Sequence, residues 1–260
     1  MRLDGKVAMI TGGAMGNGRG IVEVFLNNGA IVVILDYSND LGKTLSELNN
    51  SNVIGYQVDI RDANVVNNVV NEIIKKYGKI DILVNNAGVA KLGNMLDISD
   101  ELRDFHFDIN IKGTWNVTKA VLPFMNEKKY GKIVNLSSVT GPIVADPGEV
   151  AYATTKAAIL GFTKSLAMEV VENNITVNAI MPGYIMTPMV EGIAKDTNSN
   201  NPTEVIEGIA SGIPMKRLGN IKEVGELALF LGSDDSSFIT GQGIVIDGGA
   251  TLPETRSVGV

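Results

Sequence analysis

A doubly wound parallel α/β sheet of about seven strands is the fold this sequence predicts, on three observations. Short β-branched runs alternate with longer helical stretches along all 260 residues. Several of the short runs are almost wholly apolar, as strands buried on both faces of a parallel sheet must be. No internal repeat or low-complexity linker divides the chain, so residues 1–260 are expected to form a single domain.

The candidate strands are KVAMI from Lys6, IVVILD from Ile31, VIGYQV from Val53, DILVN from Asp81, KIVNLS from Lys132, ITVNAI from Ile175 and GIVID from Gly243. Helices are expected near 17–28, 40–49, 62–77, 99–126, 151–173 and 221–232. Asp62 reads as an N-cap and the NNG at 27–29 as a helix stop. Residues 184–220, rich in Met, Asn, Pro and Gly, form an irregular insertion expected to cover a substrate. Inside it, NPTE at 201–204 offers an asparagine cap with proline at the first helical position.

Composition narrows the possible functions. With 29 acidic against 22 basic residues the formal charge is −7, which disfavours nucleic acid and anionic membrane surfaces as partners. Cysteine is absent, so disulfides, thiol catalysis and cysteine-held metals are excluded. A single histidine, His106, cannot build a His-rich metal site and reads as structural; no metal is expected. The start, MRLDGKVAMI, lacks the pattern of a signal peptide, and no stretch reaches the roughly 18 apolar residues of a membrane span. A soluble, cytoplasmic protein is the expectation.

The first strand runs into TGGAMGNGRG, with Gly12, Gly16 and Gly18 ahead of the first helix. Glycines there let backbone amides, including those of Met15 and Asn17, approach a pyrophosphate at the helix N-terminus. Asp36 ends the second strand about 20 residues later, placed to accept the hydroxyls of an adenosine ribose and to repel a phosphate on it. Tyr37 follows it, and the loop position before Gly16 holds Met15. Neither is basic, so NAD is favoured over NADP. Asp59 and Ile60 at the third strand end, and Asn86, Ala87 and Gly88 at the fourth, fall on the same sheet edge.

The chemistry is expected further along. Tyr152 and Lys156 stand four residues apart, which on a helix places them on one face. A phenol near pKa 10 is a poor base at neutral pH, but a neighbouring ammonium favours the phenolate. Such a tyrosine can exchange a proton with an alcohol or ketone while hydride moves to or from a nicotinamide.

Taken together, Thr11 to Gly18, Asn85 to Gly88, Ser138, Tyr152 to Lys156, Pro182-Gly183 and Ile246 to Gly249 resemble the short-chain dehydrogenase/reductase family over essentially the whole chain. The resemblance implies a Rossmann-type fold and a hydride transfer between NAD(H) and a secondary alcohol or ketone. It gives Ser138 the substrate oxygen, Tyr152 the acid/base role, and Lys156 both the ribose hydroxyls and the tuning of Tyr152. Asn110 would hold a proton-relay water behind Lys156. Pro182, Gly183, Ile185 and Thr187 would meet the nicotinamide, and a homotetramer is implied. The small residues of AYATTKAAILGF would admit a partner helix, and the tail TLPETRSVGV would rest on a neighbouring subunit. Asn17 departs from the family, which usually has an apolar residue there. Met186, Met189, Ile193, Ile206, Ile209 and Met215 are available to line the substrate side. Two alternatives are a 3-oxoacyl carrier-protein reductase, disfavoured by Asp36 and the acidic balance, and a non-catalytic dinucleotide-binding sensor.

Overall fold

The computed structural model describes residues 1–253, the side chain of residue 196 aside. Seven strands run β1 (Val7–Thr11), β2 (Ile31–Asp36), β3 (Val53–Gln57), β4 (Ile82–Asn85), β5 (Gly131–Leu136), β6 (Ile175–Pro182) and β7 (Gly243–Ile246). They form one sheet in the order β3-β2-β1-β4-β5-β6-β7, every pairing parallel. The order reverses between β1 and β4, and the crevice beyond those two carboxyl ends is where such sheets bind ligands.

The apolar runs sit where the pattern requires. β1, β4, β5 and β6 are buried at every position, while the edge strands β3 and β7 are only partly covered. One face is packed by α1 (Gly16–Asn27) and α9 (Ile221–Gly232), through Ile21, Val22, Phe25, Val224, Ala228 and Leu229. The other is packed by α3 (Ala63–Tyr77), α5 (Thr114–Lys128) and α6 (Val150–Val170), through Val66, Val70, Ile73, Val121 and Leu166. Among the described residues no helix is long and apolar enough to cross a membrane.

Local signals act as expected in several places. Asp62 accepts hydrogen bonds from the Asn64 and Val65 amides and caps α3. Asn201 caps α8 (Pro202–Gly212), with Pro202 at its first position. Two expectations need correction. The insertion is more ordered than its composition suggests, because Thr187 and Pro188 start a second helix, α7 (Pro188–Thr197). The expected helix 99–126 is three pieces: α4 (Asp100–His106), a π-helical stretch Phe107–Gly113, and α5. Apolar spacing does not register the extra residue of a π turn, a feature that recurs at functional sites.

A ladder of buried amides and hydroxyls crosses the core beneath that stretch. Asn85 Nδ2 donates to Thr118 Oγ1 (3.0 Å) and to Asn135 Oδ1 (2.9 Å), joining β4 to α5 and β5. Asn135 Nδ2 donates to Thr163 Oγ1 at 2.9 Å, reaching α6. These groups lie where water cannot serve them, so the bonds between them offset most of the cost of burial, Asn85 Oδ1 alone of the four residues' bridging groups being left without a partner.

Candidate active site

A cleft of about 910 Å³ opens along the carboxyl ends of the strands, from Asp36 and Asp59 at one end to α7 at the other. Its floor is the turn between β1 and α1. Gly12 (φ +66°) and Gly16 (φ +55°) hold left-handed conformations, and a Cβ on Gly18 would collide with the Gly12 carbonyl. Asn86 fixes this turn from β4 by donating to the carbonyls of Thr11 (3.0 Å) and Gly12 (2.8 Å). Thr11 Oγ1 in return accepts from the amides of Asn86 and Ala87, both at 3.0 Å. The free amides of the first turn of α1 thus face a pocket whose floor carries no side chain at Gly12 or Gly16.

At the end expected to hold the nucleotide, Asp36 is buried and its two oxygens accept the Ala14 and Ser38 amides, each at 2.8 Å. Tyr37 stands largely in solvent on the rim of the cleft. Asp59 and Ile60 line the same end, joined by Arg61, a residue the sequence reading passed over. Arg61 grips Asp59 through Nε and Nη2, the latter at 2.6 Å, and this hydrogen bonding holds the Asp59 carboxyl below its usual range. The signal was present in Asp59-Ile60-Arg61, where a basic residue two places on can fold back over a strand-end carboxylate. Arg61 is therefore a basic group at the Asp36 end of the cleft, outside the two positions, Met15 and Tyr37, from which the cofactor preference was read. Its guanidinium is already committed to Asp59.

At the other end Ser138, Tyr152 and Lys156 converge. Ser138 follows β5 and its Oγ accepts the Thr140 amide at 3.1 Å. The adjacent Ser137 turns away, donating to the Lys156 carbonyl at 2.8 Å. Tyr152 and Lys156 share one face of α6, with Nζ 5.6 Å from the phenol ring centroid. Lys156 is buried, donates to the Leu136 carbonyl at 2.8 Å, and has its pKa lowered to about 8 by desolvation. Burial dominates Tyr152 as well: it raises the phenol pKa, a hydrogen bond with Ser138 pulls it down, and the charge of Glu149 pushes it further up. The phenol pKa is thus raised and not lowered by these surroundings, burial being the largest cause.

Asn110 lies in the π-helical stretch, buried behind these groups and not on the cleft wall; Gly18 is likewise behind its own loop. Both amide hydrogens of Asn110 are used, on the Val89 carbonyl (3.0 Å) and Thr155 Oγ1 (2.9 Å), while Oδ1 accepts the Val89 amide at 2.8 Å. His106 is fully buried; Nε2 accepts the Lys91 amide and Nδ1 meets the Leu102 carbonyl, pinning the loop after β4. Every other expected cofactor contact, from Gly12, Met15, Gly16 and Asn17 to Gly88, Pro182, Gly183, Ile185 and Thr187, borders the cleft.

The side expected to take a substrate is bounded by Val144, Ala145, Asp146, Glu149, Met189 and Ile193. Of the six apolar residues expected to line it, only Met189 and Ile193 do so. Ile206 and Ile209 pack into a satellite core with Val190, Ile213 and Leu218, while Met186 and Met215 face outward. Asp146 and Glu149 were missed because ADPGE reads as a polar loop, with no periodicity to aim its side chains.

Comparison with known proteins agrees with this geometry. A family profile described as enoyl-(acyl carrier protein) reductase matches residues 12–251. Oxidoreductase UcpA of Escherichia coli (strain K12) is 54% identical over all of this chain and 99% of its own. The 3-oxoacyl-[acyl-carrier-protein] reductase FabG of Thermotoga maritima is 40% identical over 97% of this chain and all of its own. Among solved structures, Thermoplasma acidophilum aldohexose dehydrogenase superposes with a TM-score of 0.91 at 31% identity, covering 98% of this chain and 97% of that one. Levodione reductase superposes with the same score at 32% identity, over 96% and 99%. With its glycine turn, its paired strand-end carboxylates and its Ser138–Tyr152–Lys156 cluster set on this frame, the chain belongs to the short-chain dehydrogenase/reductase family of oxidoreductases.

Proposed function

We propose that this enzyme transfers hydride between NAD(H) and a secondary alcohol or ketone, with Tyr152 as the general acid/base. One observation carries the reading: the phenol that hydrogen-bonds Ser138 lies in the same cleft as the glycine turn and the Asp36 carboxylate. The residues present suit a dinucleotide. The side-chain-free turn and the first-turn amides of α1 would take the pyrophosphate, Asp36 the adenosine ribose, and Asp59 and Ile60 the base. Lys156, with one of its hydrogens on Leu136, keeps two for the nicotinamide ribose.

A bound nicotinamide supplies or accepts the hydride and, when oxidised, a positive charge that favours the phenolate. Ser138 orients the substrate oxygen, and Tyr152 gives that oxygen its proton in reduction or removes it in oxidation. Asn110 positions the group: its side chain ties the loop after β4 to α6, so any proton relay through it runs by the backbone oxygen, which accepts Thr114 Oγ1 at 2.9 Å. As a member of an oxidoreductase family the chain is an enzyme, which sets aside the sensor reading.

Asp36 supports NAD, because its carboxylate would repel a ribose phosphate. The second reading, a 3-oxoacyl carrier-protein reductase, draws on the FabG relatives, at 40% and 33% identity. Asp146 and Glu149 at the substrate mouth weigh against an acidic carrier. We also propose the homotetramer, supported by an apolar groove of about 580 Å³ between α5 and α6, lined by Trp115, Leu122 and Phe162. Light scattering on the purified protein and on Trp115→Glu tests it, a monomeric wild type being the contrary result. The function itself is tested by following NADH and NADPH consumption over a panel of diketones and quinones. Cofactor binding without turnover of any carbonyl would sink it.

A further inference from the structure

We propose that Glu149 is a substrate-recognition residue and that the physiological substrate carries a hydroxyl group close to the reacting carbon. The proposal rests on the reading of Ser138 and Tyr152 given above and deepens it.

Glu149 occupies the N-cap position of α6, three residues before Tyr152, yet its side chain makes no capping hydrogen bond. An acidic residue there would ordinarily accept the free amides of the first turn. Instead the side chain borders the cleft with Thr140, Val144, Ala145 and Asp146. Thr140 and the Asp146 backbone hydrogen-bond the carboxylate, but Oε2 is shut away from water with no partner. A buried acceptor without a donor is uncommon in a folded protein and calls for a reason.

Neither bland explanation supplies that reason. A packing role would be served better by Gln or Leu, because desolvation already opposes the charge and raises the Glu149 pKa. A role in tuning the tyrosine would be counterproductive, since the carboxylate destabilises the phenolate of Tyr152. A donor brought by the substrate answers both objections.

The placement specifies where that donor sits. Thr140 is two residues beyond Ser138, and its amide donates to the Ser138 hydroxyl. The Thr140–Glu149 pair therefore adjoins the Ser138–Tyr152 pair in the lining of the cleft. A ketone held by Ser138 and Tyr152 would present its neighbouring carbons to Glu149, and a turn of that side chain that uncovers Oε2 would let a hydroxyl there donate to the carboxylate. A carboxylate or phosphate at the same place would meet repulsion from both Glu149 and Asp146.

The test compares adipoin, a cyclic ketone with a hydroxyl on the neighbouring carbon, against cyclohexanone, which lacks it. Binding is read from the fluorescence of NADH in Tyr152→Phe, so that no turnover intervenes. Adipoin should bind about tenfold tighter or more, and the gap should close when Glu149→Gln is added. Glu149→Asp should keep part of the gap, and NADH-dependent melting of each variant confirms that it is folded. Equal binding of the two ketones, binding of neither, or a gap that survives Glu149→Gln overturns the proposal. A failure of Tyr152 as acid/base shows separately, as undiminished turnover of ketones by Tyr152→Phe.

Discussion

The two ends of the cleft are built on opposite plans. At the nucleotide end most polar side chains answer one another: Asp36 with Ala14 and Ser38, Asn86 with Thr11 and Gly12, Asp59 with Arg61; the Asn17 side-chain oxygen in the glycine turn is the exception. At the substrate end a carboxylate oxygen has no partner, and Met189 is substantially exposed. The first arrangement is fixed before anything binds, leaving mainly the backbone amides of the glycine turn to be met, and suits a ligand part that never varies. The second is completed by what enters, so it is where relatives sharing the frame can diverge in substrate.

Four experiments sharpen or break that contrast. The largest effect belongs to the boundary between the two ends. Tyr152→Phe should bind NADH normally while turnover falls by about 10²–10⁴-fold; near-normal rates in a stopped-flow assay would remove the phenol from the mechanism. At the prearranged end, Asp36→Ala should shift the NADP-to-NAD ratio of kcat/KM by about tenfold or more towards NADP. The same change leaves the buried Ala14 amide without its acceptor, so the melting temperature should also drop. A wild type that already prefers NADPH would show that Asp36 does not select the cofactor.

Lys156 gives a smaller, pH-dependent effect. The unfolded lysine titrates near 10.5 and the buried one near 8, so between these values the unfolded chain binds more protons. Stability of the cofactor-free protein should therefore rise with pH across that window, and Lys156→Met should remove this rise. Urea melts from pH 7 to 10.5 decide it; identical pH slopes in the two proteins would mean that Lys156 is better solvated than its position suggests. The smallest effect is at the unfinished end. Glu149→Gln removes a charge that opposes the Tyr152 phenolate, so the acid limb of alcohol oxidation should move to lower pH. A move to higher pH would contradict that electrostatic coupling.

The same contrast explains what could be read from sequence. Glycines, the Asp36 strand end and the Asn86 turn were legible because backbone conformation and close approach dictate residue type there. The parallel sheet of about seven strands followed from apolar runs that only a twice-covered sheet can bury. Tyr152 and Lys156 were legible as a pair through helical spacing, but their electrostatic state was not, since it depends on how deeply α6 buries them. The π-helical stretch, Arg61 and Glu149 escaped for a related reason: each depends on where a loop folds back, which neither periodicity nor local propensity encodes. From Glu254 onward the expected tail contact lies outside the described residues.

The Asn85–Thr118–Asn135–Thr163 ladder also bears on how the layers find one another. Greasy helix faces tolerate sliding, because one aliphatic contact replaces another with little loss. A slip of α5 or α6 by a single turn would instead strand the asparagine amide hydrogens in a dry interior, at about 1–3 kcal/mol for each, while the threonine hydroxyls kept their bonds within the helices. The ladder works as an alignment key. It lets one docking of the two helices prevail over near neighbours, and so sets the height at which Lys156, two turns before Thr163 on the same helix, meets the end of β5.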